Sequence, residues 1–266
     1  MGSRKCSTPF FAIIFLSALW LHSVCEALEL VEIFSDKFDS PGRAVDPAKW
    51  SVLTGDGKIN ANEVSRYSAE DVWQENDHLL VRANVVKSDS APDEYYSGAI
   101  YSKVPFQFGE VEWRVKLPTA RGFFAGLSLV PEGCPPTGPC ADGSFNRIDV
   151  LQYRGDIPNR VSSMLVYGNV NTGVRHDGSE TYKADGTFTD GGTYHLFKVV
   201  WDDVKVVFLV DGVEKDKIVT PEAIPHRKMY LVIHTSLGGW YPGPPDGTTP
   251  FPVHFVVDEV SVKRWQ

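Results

Sequence analysis

The sequence predicts an all-β protein, a jelly roll or β-sandwich of antiparallel strands. Short runs rich in β-branched and aromatic residues recur after residue 28, with little helical periodicity between them. Clusters of glycine and proline separate these runs and are typical of turns. Many strands joined by such turns, without intervening helices, indicate two packed sheets.

Two segments give the clearest strand signals. In "VEWRVKL", apolar side chains alternate with charged ones, which predicts a half-buried antiparallel strand. The dipeptide Asp211-Gly212 lies between two apolar runs, and Asp-Gly is a strong signal for a hairpin turn. We expect Trp113, Trp201 and Phe208 to be core residues. Further candidate strands are "HLLVRA", "VSSMLVY", "YHLFKVVW", "VKVVFLV", "MYLVIH" and "VHFVVDEVSV".

The first residues have the pattern of a secretory signal peptide. Arg4 and Lys5 precede an apolar stretch that is too short to be favoured as a membrane span, and small residues follow it. Cleavage is expected after Ala27, with Cys25 as an alternative. The sequence therefore predicts a signal peptide over residues 1–27, one domain over residues 28–266, and a secreted, extracellular protein.

The acidic composition restricts the classes of partner. The 266 residues carry a formal net charge of −8, and removal of the signal peptide makes this charge one unit more negative. Nucleic acids and anionic membranes are therefore unfavourable partners, because they are also negatively charged. A neutral polysaccharide meets no such repulsion. We expect no cofactor.

The four cysteines divide between the signal peptide and one short loop. Cys6 and Cys25 lie in the predicted signal peptide, whereas Cys134 and Cys140 lie in "GCPPTGPC". In an oxidising compartment these two cysteines favour a disulfide that closes a short Pro/Gly loop. A metal pair is the alternative, but no histidine or further cysteine lies nearby to complete a zinc site.

The segment "SFNRIDVLQYRG" carries polar residues inside an apolar strand. Arg147 and Asp149 lie two residues apart and should share one face of the sheet, whereas Gln152 should point to the other face. A one-residue bulge within residues 149–151 would return Gln152 to the face of the other two. The segment then predicts a row of three polar side chains on one solvent-lined surface.

Several segments together carry a resemblance to a known family. In order along the chain they are "ENDHLLVRA", "SGAIYSK", "FGEVEWRVKLPTARG", "RIDVLQYRG", "YHLFKVVW" with "VFLVDG", and "LGGWYPGPPDGTTPFPVHFVVDEVSV". From "FSDKFDS" to the C-terminus the chain resembles glycoside hydrolase family 16, which includes laminarinases and β-1,3-glucan recognition proteins. The resemblance implies a concanavalin A-like jelly roll of two curved antiparallel sheets, with a sugar cleft across the concave face.

The resemblance places Arg147, Asp149 and Gln152 on the family's catalytic strand, which reads Glu-Ile-Asp, two apolar residues, then Glu. Arginine cannot form a glycosyl ester, and glutamine cannot protonate a leaving group. We therefore expect no intact catalytic residues, although the family name implies a hydrolase acting on O-glycosyl bonds. An alternative is hydrolysis by a non-standard set that uses Glu110, Glu112 or Asp142.

The favoured interpretation is a catalytically impaired protein that binds a β-glucan, with β-1,3-glucan preferred. The alternatives are an active endo-β-glucanase with a non-standard catalytic set, or a structural or interaction protein whose cleft has closed. The family pattern has tryptophans or a histidine where this chain has Phe124, Ser128 and Val166. The candidate substrate-binding residues are Phe123, Phe124, Arg147, Asp149, Gln152, His195, Trp240 and Tyr241.

A structural metal is not predicted. Some members of the family carry a calcium ion on the convex face, partly ligated by an aspartate of the last strand, and Asp258 matches that region. Lys37 stands where many relatives have an acidic residue. The sequence therefore indicates no metal site.

Overall fold

Two sheets packed face to face form the structure, a computed structural model that describes residues 29–266 except 57, 60–61, 179–181, 184–185 and 190–191. The predicted signal peptide, residues 1–27, lies outside the described residues. In the described ranges, no helix is long and apolar enough to cross a membrane. The sheets consist of mainly antiparallel strands, which confirms the predicted all-β fold.

Sheet A forms one layer, and the strands are numbered β1 to β18 along the chain. Its main path runs β16-β15-β14-β8-β18-β5-β6-β3, with β1 paired to β18 and β4 paired to β5. Its strands are β1 (Leu30–Asp36), β3 (Arg66–Tyr67), β4 (Val72–Gln74), β5 (Leu79–Val86), β6 (Glu94–Ser97), β8 (Gly109–Lys116), β14 (His195–Trp201), β15 (Val206–Val210), β16 (Val213–Ile218) and β18 (Val253–Trp265).

Sheet B forms the other layer. Its path runs β12-β11-β10-β9-β17-β7-β2, and β13 pairs with β11. Its strands are β2 (Trp50–Val52), β7 (Ala99–Ser102), β9 (Phe123–Pro131), β10 (Ser144–Arg154), β11 (Arg160–Asn169), β12 (Gly173–Asp177), β13 (Tyr182–Lys183) and β17 (Met229–Leu237). The segment with the polar row is therefore β10, near the middle of this sheet.

The main core lies between the sheets and follows from alternation along the strands. In β8, buried and half-buried residues alternate over the whole strand, as its sequence predicts. Trp113, Trp201 and Phe208 are all almost fully buried in this core, which confirms their prediction. Burial of large aromatic side chains makes the interior the main source of stabilisation.

The predicted hairpin joins β15 to β16. Asp211 and Gly212 both have positive φ angles, 51° and 75°. Two consecutive positive φ angles in a two-residue loop are those of a type I′ turn, whose twist matches that of the flanking strands. The Asp-Gly prediction is confirmed.

A second group of buried residues lies on the outer face of sheet B, away from the main core. Loop residues and the Cys134–Cys140 disulfide cover the outer side chains of β7, β9 and β17. We call this group the outer cluster; it contains Ile59, Tyr67, Ala99, Val130, Cys134, Cys140, Tyr230 and Val232. As a result, β9 and β17 are buried along their entire length.

The disulfide fixes the loop between β9 and β10. Cys134 and Cys140 are bonded, which confirms the predicted pairing. The Tyr230 hydroxyl donates a hydrogen bond of 2.6 Å to the carbonyl oxygen of Cys134. A cavity of only about 10 Å³ remains where this loop lies against Asn146 and Arg147. Such a volume holds one water molecule at most, so the loop closes one end of the polar row.

Candidate functional site

The bulge predicted in β10 is present. Asp149 pairs with Ser128 of β9, and the next pair along the ladder joins Leu151 to Leu127, so one residue of β10 is extra. The same shift occurs against β11, between the pairs of Asp149 and Gln152. Because the ladder skips Val150, both Val150 and Leu151 face the core, and Gln152 joins the face of Asp149.

Asp149 is the centre of a hydrogen-bond network on this face. It is 2% exposed and accepts hydrogen bonds from the Ser128 hydroxyl at 2.7 Å, from Nε2 of Gln152 at 2.8 Å, and from Nη2 of Arg147 at 3.0 Å. Nε of Arg147 also lies 2.8 Å from Oδ1 of Asp149. The structure therefore brings the predicted polar row together as one bonded unit.

The network pairs a buried anion with a largely buried cation. The Arg147 side chain is 16% exposed, so little solvent screens its attraction to Asp149. A buried carboxylate needs such partners, because removal from water is costly for an unpaired charge. Arg147 and Gln152 thus both bind the Asp149 carboxylate and cover it from solvent on the outer face of sheet B.

His234 of β17 lies beside the network and was not predicted as a site residue. Burial, with a further contribution from the neighbouring Arg147, lowers the pKa of His234 to about 3, so the ring is neutral near pH 7. Its ring packs directly over Gly126, where a Cβ atom would lie 2.2 Å from Nε2. Nδ1 is buried and has no hydrogen-bond partner among the residues described.

An aromatic edge continues the site beyond Gln152. The Phe124 ring lies 5.6 Å from the His234 ring and 5.9 Å from the Tyr241 ring. The guanidinium of Arg154 lies 5.1 Å from the centre of the Tyr241 ring, and the Tyr241 hydroxyl is 3.1 Å from the hydroxyl of Ser162. Tyr241 is 42% exposed, so one part of this edge meets solvent.

The loop that carries Tyr241 is fixed by contacts between its later residues and the segment just before β9. The Arg121 guanidinium binds Asp246 at 2.9 Å, and the Thr249 hydroxyl donates to the carbonyl oxygen of Arg121. Gly122 has a φ angle of +72°, and a Cβ there would lie 2.3 Å from the nitrogen of Pro245. Only glycine allows this close approach of the two segments. Trp240, next to Tyr241, is 88% exposed.

Two predicted site residues lie elsewhere. Phe123 is fully buried in the main core, because successive residues of a strand face opposite sides and Phe124 occupies the outer side. His195 lies on β14 of sheet A, where Nδ1 is 2.9 Å from Asp211 and the ring meets the core residue Phe188. Contrary to the prediction, neither side chain lies beside Arg147, Asp149 and Gln152 on the outer face of sheet B.

The carboxylates considered for a non-standard catalytic set are also distant from the network. Glu110 and Glu112 lie on β8 of sheet A and both bind Lys198, at 3.5 and 3.1 Å. Asp142 lies in the disulfide loop, where it accepts hydrogen bonds from the backbone nitrogen and hydroxyl of Ser144. None of the three contacts Asp149.

Asp258, the residue matched to a calcium region, contacts an arginine and a histidine. Its carboxylate binds Nη1 of Arg114 at 2.6 Å and lies 3.3 Å from Nε2 of His78. Within the described ranges, no group of three or more acidic, histidine or cysteine residues could hold a metal ion. The neighbours of this carboxylate are thus nitrogen groups of an arginine and a histidine rather than the oxygen ligands that calcium takes.

Comparison with known proteins gives concordant results. The chain is 28% identical over 268 residues to the glucan endo-1,3-beta-glucosidase A1 of Niallia circulans, covering 88% of this chain and 38% of that protein. It is 24% identical over 257 residues to the beta-glucanase of Rhodothermus marinus, covering 88% and 85% respectively. The chain thus spans less than half of the Niallia protein.

Solved structures share the fold. The endo-beta-1,3-glucanase from Pyrococcus furiosus superposes with a TM-score of 0.74 at 24% identity, over 89% of this chain and 95% of that one. The profile described as "Glycosyl hydrolases family 16" matches residues 63–248. This range contains the polar network, the disulfide loop and Tyr241, and it is more than half of the sequence. The chain therefore belongs to glycosyl hydrolases family 16.

Proposed function

We propose that this protein is a secreted, non-hydrolytic member of the family that binds a β-glucan, with β-1,3-linked glucan preferred. One observation carries the proposal: Asp149 is bound by Arg147, Gln152 and Ser128. At the two positions where the family resemblance implies catalytic glutamates, the side chains are a guanidinium and a carboxamide.

These groups do not suit hydrolysis. A retaining glycosidase needs one carboxylate as nucleophile and a second carboxyl group, roughly 5 Å away, as proton donor. The guanidinium of Arg147 has no lone pair to offer, and the amide of Gln152 cannot supply a proton near neutral pH. The only carboxylate of the network, Asp149, is buried and already accepts three hydrogen bonds. The nucleophile and the proton donor of a glycosidase act together, so replacing both removes most of the rate enhancement that they supply.

The open edge beside the network suits sugar binding. Tyr241 and Trp240 are exposed, and aromatic rings stack on the apolar faces of sugars. Gln152 and Arg154 are partly exposed and can donate hydrogen bonds to hydroxyl groups. The two relatives named above are a glucan endo-1,3-beta-glucosidase and a beta-glucanase, which favours a β-glucan as the ligand.

Calorimetric titration with laminarin, a soluble β-1,3-glucan, tests both halves of the proposal. We expect saturable heat that stays flat after each injection, and no new reducing ends over several hours. Continuing heat with new reducing ends would show hydrolysis and overturn the non-hydrolytic assignment. The double variant Arg147→Glu with Gln152→Glu serves as a comparison, because it supplies carboxylates at both positions.

Aromatic variants locate the binding surface. We expect Trp240→Ala and Tyr241→Ala each to weaken laminarin binding about tenfold, because each removes a stacking surface of about 1 kcal/mol or more. Tyr96→Ala, on β6 of sheet A, is the matched control and should bind as the wild type does. Unchanged affinity in both test variants would remove this edge as the binding site.

A structural or interaction protein is the second candidate. It is favoured by the closed floor, since Asp149, Ser128 and Val166 are each less than 5% exposed. Absence of heat with laminarin and with a mixed-linkage β-glucan would support this candidate over sugar binding.

Secretion is supported by the charge and apolar pattern of residues 1–27. The full chain, expressed in cultured cells, should accumulate in the medium with a new N-terminus at Leu28 or Glu26. Retention in the cells with Met1 intact would contradict this part of the proposal.

A further inference from the structure

A separate cavity lies on the outer face of sheet A, on the opposite side of the sandwich from the polar network. Its volume is about 230 Å³. Leu80 of β5 and Val256 of β18 pair with each other and form an apolar floor, and Lys116 of β8 continues the same row. Tyr194, just before β14, lies along one side of the cavity.

Tyr194 is held in a fixed orientation. Its ring centre lies 4.0 Å from the guanidinium carbon of Arg114 and 4.3 Å from Nζ of Lys116. The Tyr194 hydroxyl is hydrogen-bonded to Nε2 of His78, and Nδ1 of the same ring donates to the carbonyl oxygen of Asn76. An aromatic wall positioned in advance loses little conformational entropy when a ligand binds.

The hairpin between β4 and β5 forms the rim of the cavity. Asn76 and Asp77 have positive φ angles, and the backbone groups of Glu75 and His78 bond to each other across the turn. This is the geometry of a tight two-residue hairpin, so the turn gives the rim a defined shape. Glu75 and Asn76 both line the cavity.

The charged groups around the cavity include both an anion, Glu75, and a cation, Lys116. Nζ of Lys116 lies 4.3 Å from the centre of the Tyr194 ring, and its ammonium group carries three N–H donors. The Glu75 carboxylate accepts a hydrogen bond from Nε1 of Trp73 and lies 3.8 Å from Nη1 of Arg43, and its remaining lone pairs can accept further bonds. Asn76 offers an amide that can both donate and accept. Hydroxyl groups suit all three.

We infer that this cavity binds one neutral pyranose unit of a glucan chain, independently of the edge near Tyr241. An apolar floor, an aromatic wall and a rim of mixed donors and acceptors match a sugar ring, which has an apolar face and hydroxyls at its periphery. The volume is below the roughly 300–1,000 Å³ of sites for drug-sized molecules, which fits a single ring.

Backbone amide shifts in ¹⁵N-labelled protein test the inference, with laminaritetraose, cellotetraose and maltotetraose titrated separately. We expect at least one of these neutral glucans to shift the amides of Leu80, Lys116 and Val256 in a saturable manner. Tyr194→Ala should weaken this effect about tenfold, because it removes the aromatic wall. Val256→Phe, which fills the cavity without removing a polar group, should have the same result.

The controls separate this site from the proposed groove. Tyr96→Ala leaves the cavity intact and should give wild-type shifts at Leu80 and Lys116. Shifts confined to the surroundings of Tyr241 would overturn the cavity site while supporting the groove. Shifts confined to Leu80, Lys116 and Val256 would do the reverse, and no shift with any of the three sugars up to about 10 mM would overturn the cavity site.

Discussion

The outer faces of the two sheets meet solvent in different ways. On sheet A, half-buried side chains alternate with core residues along β8 and β5, and charged groups lie at the surface. On sheet B, β9 and β17 are buried on both faces. The outer cluster covers one part of sheet B, and the network of Asp149 seals another. Among the described residues, Trp240 and Tyr241 beside this network and most of the edge strand β12 stay exposed.

This difference has consequences for electrostatics. Lys198 and Glu112 form an ion pair on sheet A with about a third of each side chain exposed. Arg147 and Asp149 form a pair on sheet B that is shielded from water. Similar groups at similar distances should therefore contribute very differently to stability, because the effective dielectric constant differs between the two places.

The largest expected effect is that of Asp149→Ala. The substitution leaves Arg147 largely buried without its anion, and we expect the free energy of unfolding to fall by about 3–5 kcal/mol. Urea denaturation measures this change. Asp203→Ala, in an exposed turn of sheet A, is the control and should stay within about 0.5 kcal/mol of the wild type. A loss below about 1 kcal/mol for Asp149→Ala would mean that the pair is solvated after all.

Gly126→Ala tests how tightly the outer face of sheet B is packed. The new methyl group would lie 2.2 Å from Nε2 of His234, whose ring is buried and cannot turn away freely. We expect a loss of about 1–3 kcal/mol in the free energy of unfolding. Gly247→Ala is the matched control, since nothing lies within 4 Å of a Cβ there. Equal stability of the two variants would contradict the close packing.

A pH titration of stability tests the burial of His234. Its folded pKa of about 3 lies below the unfolded value of about 6.5, so the unfolded state binds a proton that the folded state does not. His234 therefore lowers stability as the pH falls from about 6.5 towards 3, by roughly 1.4 kcal/mol per pH unit. His234→Gln should remove that part of the slope.

The exposed His226→Gln variant is the control for this titration. Acidic groups elsewhere also affect stability at low pH, so the informative quantity is the difference in slope between His234→Gln and the wild type. Parallel curves from about pH 4 to pH 7 would show that the His234 ring takes up a proton in the folded state.

The alternation of apolar and charged residues explains why strands of sheet A could be predicted from the sequence. Charged residues interrupt the apolar ones at every second position of β8, so the buried face can be identified. The bulge of β10 could also be predicted, because the spacing of Arg147, Asp149 and Gln152 does not fit an undisturbed strand. Two cysteines in one loop of a predicted secreted chain left few alternatives to the disulfide.

The incorrect or missing predictions of site residues concern mainly strands in which apolar and polar residues do not alternate. β9 reads "FFAGLSLVP" and is buried on both faces, so nothing in its pattern separates Phe123 from Phe124. His234 lies in "MYLVIHTSL", which has the same character, and its neighbours in space come from other strands. His195 matched a family position, but a one-residue match does not tell which sheet carries the side chain.

The smallest expected effect, that of Glu112→Gln, sharpens the comparison of the two sheets. Glu112 lies 3.1 Å from Lys198, yet both side chains reach solvent, so the loss should be less than about 0.5 kcal/mol in low salt. In about 1 M NaCl, where the Debye length is roughly 3 Å, even this loss should vanish. The loss caused by Asp149→Ala should persist at that salt concentration, because ions do not reach the pair with Arg147. If salt removed both losses, the outer face of sheet B would be as open as that of sheet A, and the sealed floor would not exist.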